Sequence, residues 1–383
     1  MRCSAAAVPT DRARPSIALA HDYLTQRGGA ERVAAVIAEA FPGAPLYTSV
    51  YEPSQTFEDF VAVDVRTSWL QRVPLFRRDP RTALAFLAPA FSSFDVEADV
   101  VIASSSGWSH GIGTTAPVIV YCHAPARWLY QASRYAGSPS AGSGAFRSAA
   151  RIASSLSGVP LRRWDAAQAA RADRYLVNST TVARQVADIY GIEAEVLAPP
   201  PALDPGGPSI PVPQLQEGFL LCVARLLPYK NVDVIIELAR RRPERHLVIV
   251  GDGPLRSSLA ADAPANVQFL SRPSDGELRW LYASASVLLA ASYEDFGLTP
   301  LEAAAFGTPT VALRSGGYLD TIIDGETGAL ADAPEPELLL AALDRLEAER
   351  PATSLLTAHA ASFGRERFIA RLRAVVGELL SSS

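Results

Sequence analysis

The chain reads as two doubly wound α/β domains that face each other across a cleft. Three observations predict this class. Apolar β-type runs alternate with helical patterns along nearly all of the 383 residues, as expected for parallel sheets covered on both faces. That length exceeds what one hydrophobic core usually supports. A Pro-rich interruption then divides the alternation in two: residues 198–218 carry seven Pro and three Gly, a density that no helix or central strand tolerates.

The first series opens with a strand at 17–21 and an amphipathic helix at 28–41, whose Val33, Val36, Ile37 and Ala40 share one face. Further strands are predicted at 45–51, 61–66, 99–104, 118–123, 174–178 and 195–198. The second series sets strands at 219–224, 246–251, 267–270, 287–291 and 310–313 between helices at 231–241, 254–261, 275–283, 300–305 and 335–346. A last helix, 365–380, follows the completed second sheet. The expected domains are therefore 1–198, a partly extended linker at 199–217, 218–362, and a terminal segment at 363–383.

Hydrophobic residues make up 49% of the chain and charged residues 20%, which fits a folded protein. The net charge of −5 excludes a nucleic-acid binder that works by bulk positive charge. Of the 35 Lys and Arg residues only Lys230 is Lys. Cys3, Cys122 and Cys222 form no CxxC pair. A zinc site or disulfide framework is not expected, a reducing cytoplasm is, and Cys122 and Cys222 read as small buried strand residues. The first 16 residues hold no apolar core of a secretory signal, and no apolar run reaches the roughly 20 residues of a membrane span.

In doubly wound folds ligands bind beyond the carboxyl ends of the strands, so site residues are sought in the loops there. The densest group runs from Ser292 to Glu302, after one strand and into a helix. Thr299 reads as the N-cap and Pro300 as a first-turn residue, which puts Glu302 in the first turn and Glu294 in the loop. Unpaired N–H groups of Phe296, Gly297 and Leu298 at the positive helix end suit a diphosphate, and Gly297 permits close approach. Glu294 and Glu302 would then accept from hydroxyls on either side, one on a transferred sugar and one on a ribose. The plainer alternative makes Glu302 a helix-dipole partner and Glu294 a solvated residue.

Arg225 and Lys230 lie in the loop after the first strand of the second domain. A guanidinium fork and a compact ammonium neutralise a diphosphate well; otherwise they are surface cations at a helix start. Gly28 and Gly29 precede the first helix and allow close approach by a ligand, although the third Gly of a dinucleotide fingerprint is missing. His123 ends a strand and either hydrogen-bonds a sugar hydroxyl, receives charge, or is a capped structural histidine. Arg127 and Trp128 either line an acceptor pocket or pack. The turn Gly251–Pro254 reads as mainly structural, and Gly316-Gly317 as either a neighbour of the base or sugar or a plain turn. The sequon at Asn178 has no meaning in a cytoplasmic protein.

Together these residues resemble the retaining family-4 glycosyltransferases of the GT-B fold. The resemblance runs from His21-Asp22-Tyr23 and Gly28-Gly29-Ala30-Glu31 through Tyr121-Cys122-His123-Ala124-Pro125 and Val177-Asn178-Ser179 to Pro228-Tyr229-Lys230. It continues with Gly251-Asp252-Gly253-Pro254 and ends on the stretch from Glu294 to Glu302. It implies Glu294 and the N–H groups of Phe296 to Leu298 on the donor sugar, and Glu302 on the ribose. Arg225 and Lys230 would hold the diphosphate, Gly28 and Gly29 would lie near phosphate and acceptor, and His123 would lie at the anomeric centre. It also implies a final helix that crosses back onto the first domain. Asn231 departs from the Gly usual after the Lys, and Asn tolerates the left-handed backbone such a position needs.

The Tyr-Cys-His and Pro-Tyr-Lys variants resemble bacterial mannosyltransferases, which favours GDP-mannose as donor, with a UDP-hexose as the other choice. The implied reaction is transfer with retention by front-face attack, with neither cofactor nor metal, to a hydroxyl of a glycan, a lipid-linked glycan or a small natural product. A sugar-nucleotide epimerase of the same fold is the alternative; a non-enzymatic scaffold is disfavoured by the intact Arg225, Lys230, Glu294 and Glu302. The mixed apolar and basic stretch 69–78 reads as a contact for an anionic membrane or as a surface loop, and 147–163 is similarly ambiguous.

Overall fold

In the computed structural model, which describes residues 15–130 and 158–382, thirteen strands form two all-parallel sheets. The first contains β1 (Ile17–His21), β2 (Leu46–Thr48), β3 (Val65–Thr67), β4 (Val100–Ser105), β5 (Val118–Cys122), β6 (Arg174–Val177) and β7 (Glu195–Val196), in the order β3-β2-β1-β4-β5-β6-β7. The second contains β8 (Leu220–Val223), β9 (Leu247–Val250), β10 (Val267–Leu270), β11 (Val287–Ala290), β12 (Thr310–Leu313) and β13 (Gly328–Ala331), in the order β10-β9-β8-β11-β12-β13. Each sheet grows outward from its middle, first one way and then the other. The direction reverses between β1 and β4 and between β8 and β11, and at such switch points the following loops diverge and leave a crevice.

The strands are near-continuous apolar runs because both faces are covered: every residue of β4, β5, β9, β11 and β12 is buried. Helix α1 (Gly29–Ala40) turns Val33, Val36, Ile37 and Ala40 inward, as its periodicity predicts. Residues 61–64 differ from the expected strand. Glu58–Ala62 forms a 3-10 turn that buries Phe60 and leaves Val61 71% exposed, and the strand starts only at Val65. Strand β13, Gly-Ala-Leu-Ala, lacks the β-branched residues that announce a strand and was not expected.

The connection at 198–218 does not hang free. Leu203 and Leu215 are buried in a core with Phe219 and Tyr282, and the Arg279 guanidinium donates to the carbonyls of Asp204 and Pro208 at 2.8 and 3.2 Å. The final helix, Arg365–Ser382, packs on the first sheet. Its Phe368, Leu372, Val375 and Val376 share a core with Leu19, Ile37 and Ile102. The Phe368 ring meets Tyr121 edge-on at 5.6 Å, and Arg371 grips Glu195 through two bonds of 2.6 and 2.8 Å. Phe368→Ala should therefore lower unfolding free energy by about 3–5 kcal/mol. A urea midpoint unchanged from wild type would contradict this anchoring.

Candidate functional site

The candidate loops of the second domain follow three strand ends. After β8 the chain runs to Asn231, which takes the left-handed backbone at φ 50°, ψ 39°. Its side-chain amide donates to the Ala291 carbonyl at 2.7 Å, which ties the Lys230 loop to the end of β11. The Lys230 ammonium donates directly to Glu294 Oε1. Burial pulls the Lys230 pKa down, but the Glu294 carboxylate outweighs it and the net shift is upward. For Glu294, burial pushes up, and Lys230 with the Ser292 hydroxyl brings the carboxyl below its ordinary value. Ser292 Oγ donates to Glu294 at 2.8 Å and lies 2.7 Å from the Tyr318 hydroxyl. Since Ser292 spends its one proton on Glu294, Tyr318 is the donor in that second bond. Arg225 is exposed and makes no side-chain hydrogen bond among the described residues.

Helix α2 (Leu298–Ala305) starts two residues earlier than Thr299 and Pro300 suggested. Its N-cap is Gly297, at φ 88°, ψ 70°. With Gly297 as the cap, Glu302 falls in the second turn, not the first. The N–H groups of Phe296, Gly297 and Leu298 bond to nothing among the described residues, and they point from a helix N-terminus with its positive partial charge. Glu302 is 9% exposed and accepts from Tyr282 Oη at 2.7 Å. Burial raises its pKa against the pull of Tyr282, Arg32 and the Ala202 N–H.

Gly316 and Gly317 are neighbours of the loop backbone. A Cβ on Gly316 would overlap the Glu294 carbonyl oxygen and one on Gly317 the Phe296 Cα, while Gly317 N–H donates to Glu294 O at 2.9 Å. The Gly251 and Gly253 backbones pack likewise against Ala224 and Leu226, beside Arg225.

Across the cleft, Gly28 caps α1 and Gly29 approaches the start of α2. A Cβ on Gly29 would lie 3.2 Å from Leu298 Cδ1. His123 follows β5, and its Nε2 lies 2.8 Å from Ser104 Oγ at the end of β4. Burial, then His21 and Arg127, lower its pKa to about 3, so the ring is neutral at ordinary pH. Asp22 is spent on structure: its carboxylate accepts the N–H groups of Ser106 and Ser109 at 2.6 and 2.8 Å. Asn178 is buried with its amide donating to the His123 carbonyl at 2.9 Å.

Arg127 bonds Asp295, the residue after Glu294, while its side chain stays 38% exposed. Ser179 Oγ also donates to the Asp295 carbonyl at 2.5 Å, and Thr180 bonds Asp320 through its N–H and hydroxyl at 3.2 and 3.0 Å. The first domain thus holds Asp295 of the Glu294 loop at two points and the Tyr318–Thr321 helix at Asp320. Trp128 stacks on Trp108 at 4.7 Å. The structure brings Glu294, Lys230 and the three N–H groups together on one loop cluster, with Gly28–Gly29 opposite. The sequence reading passed over Ser292, Tyr318, Tyr282 and Asp295, which hold that cluster in place. Most of the ambiguous stretch 147–163 lies outside the described residues.

Two doubly wound sheets with their switch points facing one cleft define the GT-B architecture. The family model described as Glycosyltransferase Family 4 matches residues 27–204, and that described as Glycosyl transferases group 1 matches residues 210–363. The chain belongs to the family-4 glycosyltransferases of the GT-B fold. It is 33% identical to the D-inositol 3-phosphate glycosyltransferase of Acidothermus cellulolyticus over 46% of each chain. To the Mycobacterium bovis protein of the same name it is 31% identical, over 54% of this chain and 50% of that one. The chain spans about half the length of the curated relatives it matches.

Two solved structures share the fold. Anabaena HepE in complex with UDP-glucose matches with a TM-score of 0.67 at 19% identity, over 96% of this chain and all of that one. Sucrose-phosphate synthase from Thermosynechococcus elongatus matches with 0.69 at 18% identity, over 97% and 100%. Both family models are named for glycosyl transfer, so the epimerase alternative gains no support.

Proposed function

We propose that the chain is a retaining hexosyltransferase that moves a sugar from a nucleoside diphosphate to an acceptor hydroxyl. The observation that carries this reading is the loop cluster itself. Three unpaired N–H groups at the start of α2 stand beside Lys230 and Glu294, with Arg225 exposed nearby and Gly28–Gly29 opposite. Such a set fits a diphosphate flanked by a sugar. Glu294 accepts from the sugar's hydroxyls and Glu302 from the ribose. As the anomeric C–O bond breaks, negative charge grows on the leaving phosphate, where Lys230, Arg225 and the N–H groups stabilise it. The acceptor oxygen attacks from the same face, and its proton passes to the departing phosphate oxygen. Lys230 and Arg225 supply the positive charge, so neither a metal nor a cofactor is required.

GDP-mannose, favoured by the Tyr-Cys-His and Pro-Tyr-Lys variants, and a UDP-hexose are the donors to try first. The names of the curated relatives make a phosphorylated polyol one acceptor to include with glycans and lipid-linked glycans. Release of nucleoside diphosphate from one of these donors, undiminished by EDTA, is the expected result, with the anomeric configuration of the product retained by NMR. No release from any GDP- or UDP-sugar would overturn the reading, and an inverted product would overturn retention.

We also propose that the enzyme works in the cytoplasm, at an anionic membrane face. Trp69, Leu75 and Phe86 are 43%, 57% and 46% exposed, and Trp69 and Phe76 both pack on Phe86 at about 6 Å. Arg72 and Arg78 are exposed on the same segment. Aromatic and cationic groups together suit an anionic lipid surface. No helix among the described residues is long and apolar enough to cross a membrane. Flotation with vesicles containing phosphatidylglycerol, weakened by salt and absent with neutral vesicles, is expected; no flotation with either would overturn the membrane contact.

A further inference from the structure

His123 stands at the end of a buried polar chain that the proposed reaction does not by itself explain. His21 on β1 and Ser104 on β4 are paired directly in register. His21 Nδ1 lies 3.1 Å from the Ser104 carbonyl oxygen and 3.0 Å from Ser104 Oγ. A carbonyl oxygen only accepts, so His21 must carry its proton on Nδ1. Its other nitrogen lies 4.0 Å from Glu31 Oε1, and both side chains are 2% exposed. Ser104 Oγ, already facing the His21 N–H, has one proton to give. The group in reach is His123 Nε2, at 2.8 Å. Accepting there leaves His123 Nε2 without a proton. The ring is neutral, as burial holds its pKa near 3, so its one proton sits on Nδ1. That nitrogen has no hydrogen-bond partner among the described residues.

We infer that Ser104, held by His21, is a positioning residue that fixes His123 as the Nδ1–H tautomer, so that the histidine meets its ligand as a hydrogen-bond donor and not as a base. The group it takes is an oxygen with a free lone pair, a sugar hydroxyl or a phosphate oxygen. A histidine locked this way cannot remove the acceptor's proton, which leaves that task to the departing diphosphate. The inference rests on the transferase reading only for the ligand's identity; the tautomer follows from the hydrogen bonds and the burial of the ring.

The test is a long-range proton–nitrogen correlation spectrum of protein labelled with nitrogen-15 histidine. The chain has five His, and the His123 signals are identified by their loss in His123→Asn. Wild type is expected to show a protonated Nδ1 and a bare Nε2 throughout the neutral pH range. Ser104→Ala should move His123 toward the Nε2–H form, and Ser104→Thr, which keeps the hydroxyl, should restore the wild-type pattern. Donor turnover should fall about tenfold in Ser104→Ala, the scale of one hydrogen bond, and recover in Ser104→Thr. An Nε2–H ring in wild type, or a Ser104→Ala spectrum identical to wild type, overturns the inference. If Ser104→Ala does not fold, the wild-type spectrum decides. Absence of turnover on every nucleotide sugar would sink the transferase reading and leave the tautomer result standing.

Discussion

Lys230→Ala is expected to lower kcat/KM for donor turnover by about 100- to 1,000-fold, the usual effect of removing one preorganised charge contact at a reacting group. The size follows from where the residue sits. Its side chain is 13% exposed and that of Glu294 is 22% exposed, so the pair is largely shielded from water. Deleting one partner of such a pair leaves an uncompensated charge, which costs about 3–5 kcal/mol if the carboxylate stays ionised. Glu294 has a way to reduce that cost. Burial pushes its pKa up and Lys230 is the first influence that opposes it, so in the variant the carboxyl should titrate higher.

The sign of the pH dependence follows. In wild type the Glu294 pKa is depressed, so its contribution is present above the ordinary carboxylate range and lost as pH falls through the lowered value. The Lys230 pKa is raised, so its contribution is present below the ordinary lysine range and lost as pH rises through the raised value. The pair therefore stabilises the fold from mild acid to mild alkali, and Lys230→Ala should flatten both limbs of a urea stability profile. Lys230→Arg keeps the charge but brings a planar fork to a pocket shaped around a compact ammonium, and activity should recover only in part. Turnover in Lys230→Ala within threefold of wild type would contradict the assignment of the diphosphate to this residue.

Much of this site was legible because its parts are local. A lone Lys among 34 Arg, a glycine between two carboxylates and a loop before a helix all lie within short stretches of sequence. The alternation that gives the sheets was legible for a related reason: strands buried on both faces must be apolar throughout. What escaped depends on strand order. His21 and Ser104 are 83 residues apart and meet only because β1 and β4 are neighbours across the switch point. Asp295 was not singled out, since nothing local announces an Arg from the other domain. The start of α2 was misplaced because Thr299 and Pro300 satisfy the rules of a helix start. Gly297 supplies the turn first, in a conformation favoured by packing: a Cβ there would come within 2.6 Å of the Tyr318 ring.

That same intolerance of added atoms yields the second large effect. Gly316→Ala should cost stability and most of the activity at once. Gly316 sits at φ 63°, where an Ala loses roughly 1–2 kcal/mol from backbone sterics alone. Its new Cβ would also overlap the Glu294 carbonyl oxygen and lie 3.2 Å from the carbonyl carbon. Neither atom belongs to a flexible side chain, so the backbone of the Glu294 loop must shift, carrying Glu294 and the N–H groups after it. Misplacement on the scale of an ångström costs about 100-fold in rate at a positioned site. Gly325→Ala is the control, because Gly325 has the same backbone hand at φ 82° with nothing within 4 Å of a new Cβ. It should lose a similar backbone increment in urea unfolding and keep wild-type turnover. If Gly316→Ala also keeps wild-type turnover, the geometry of the Glu294 loop does not control the reaction.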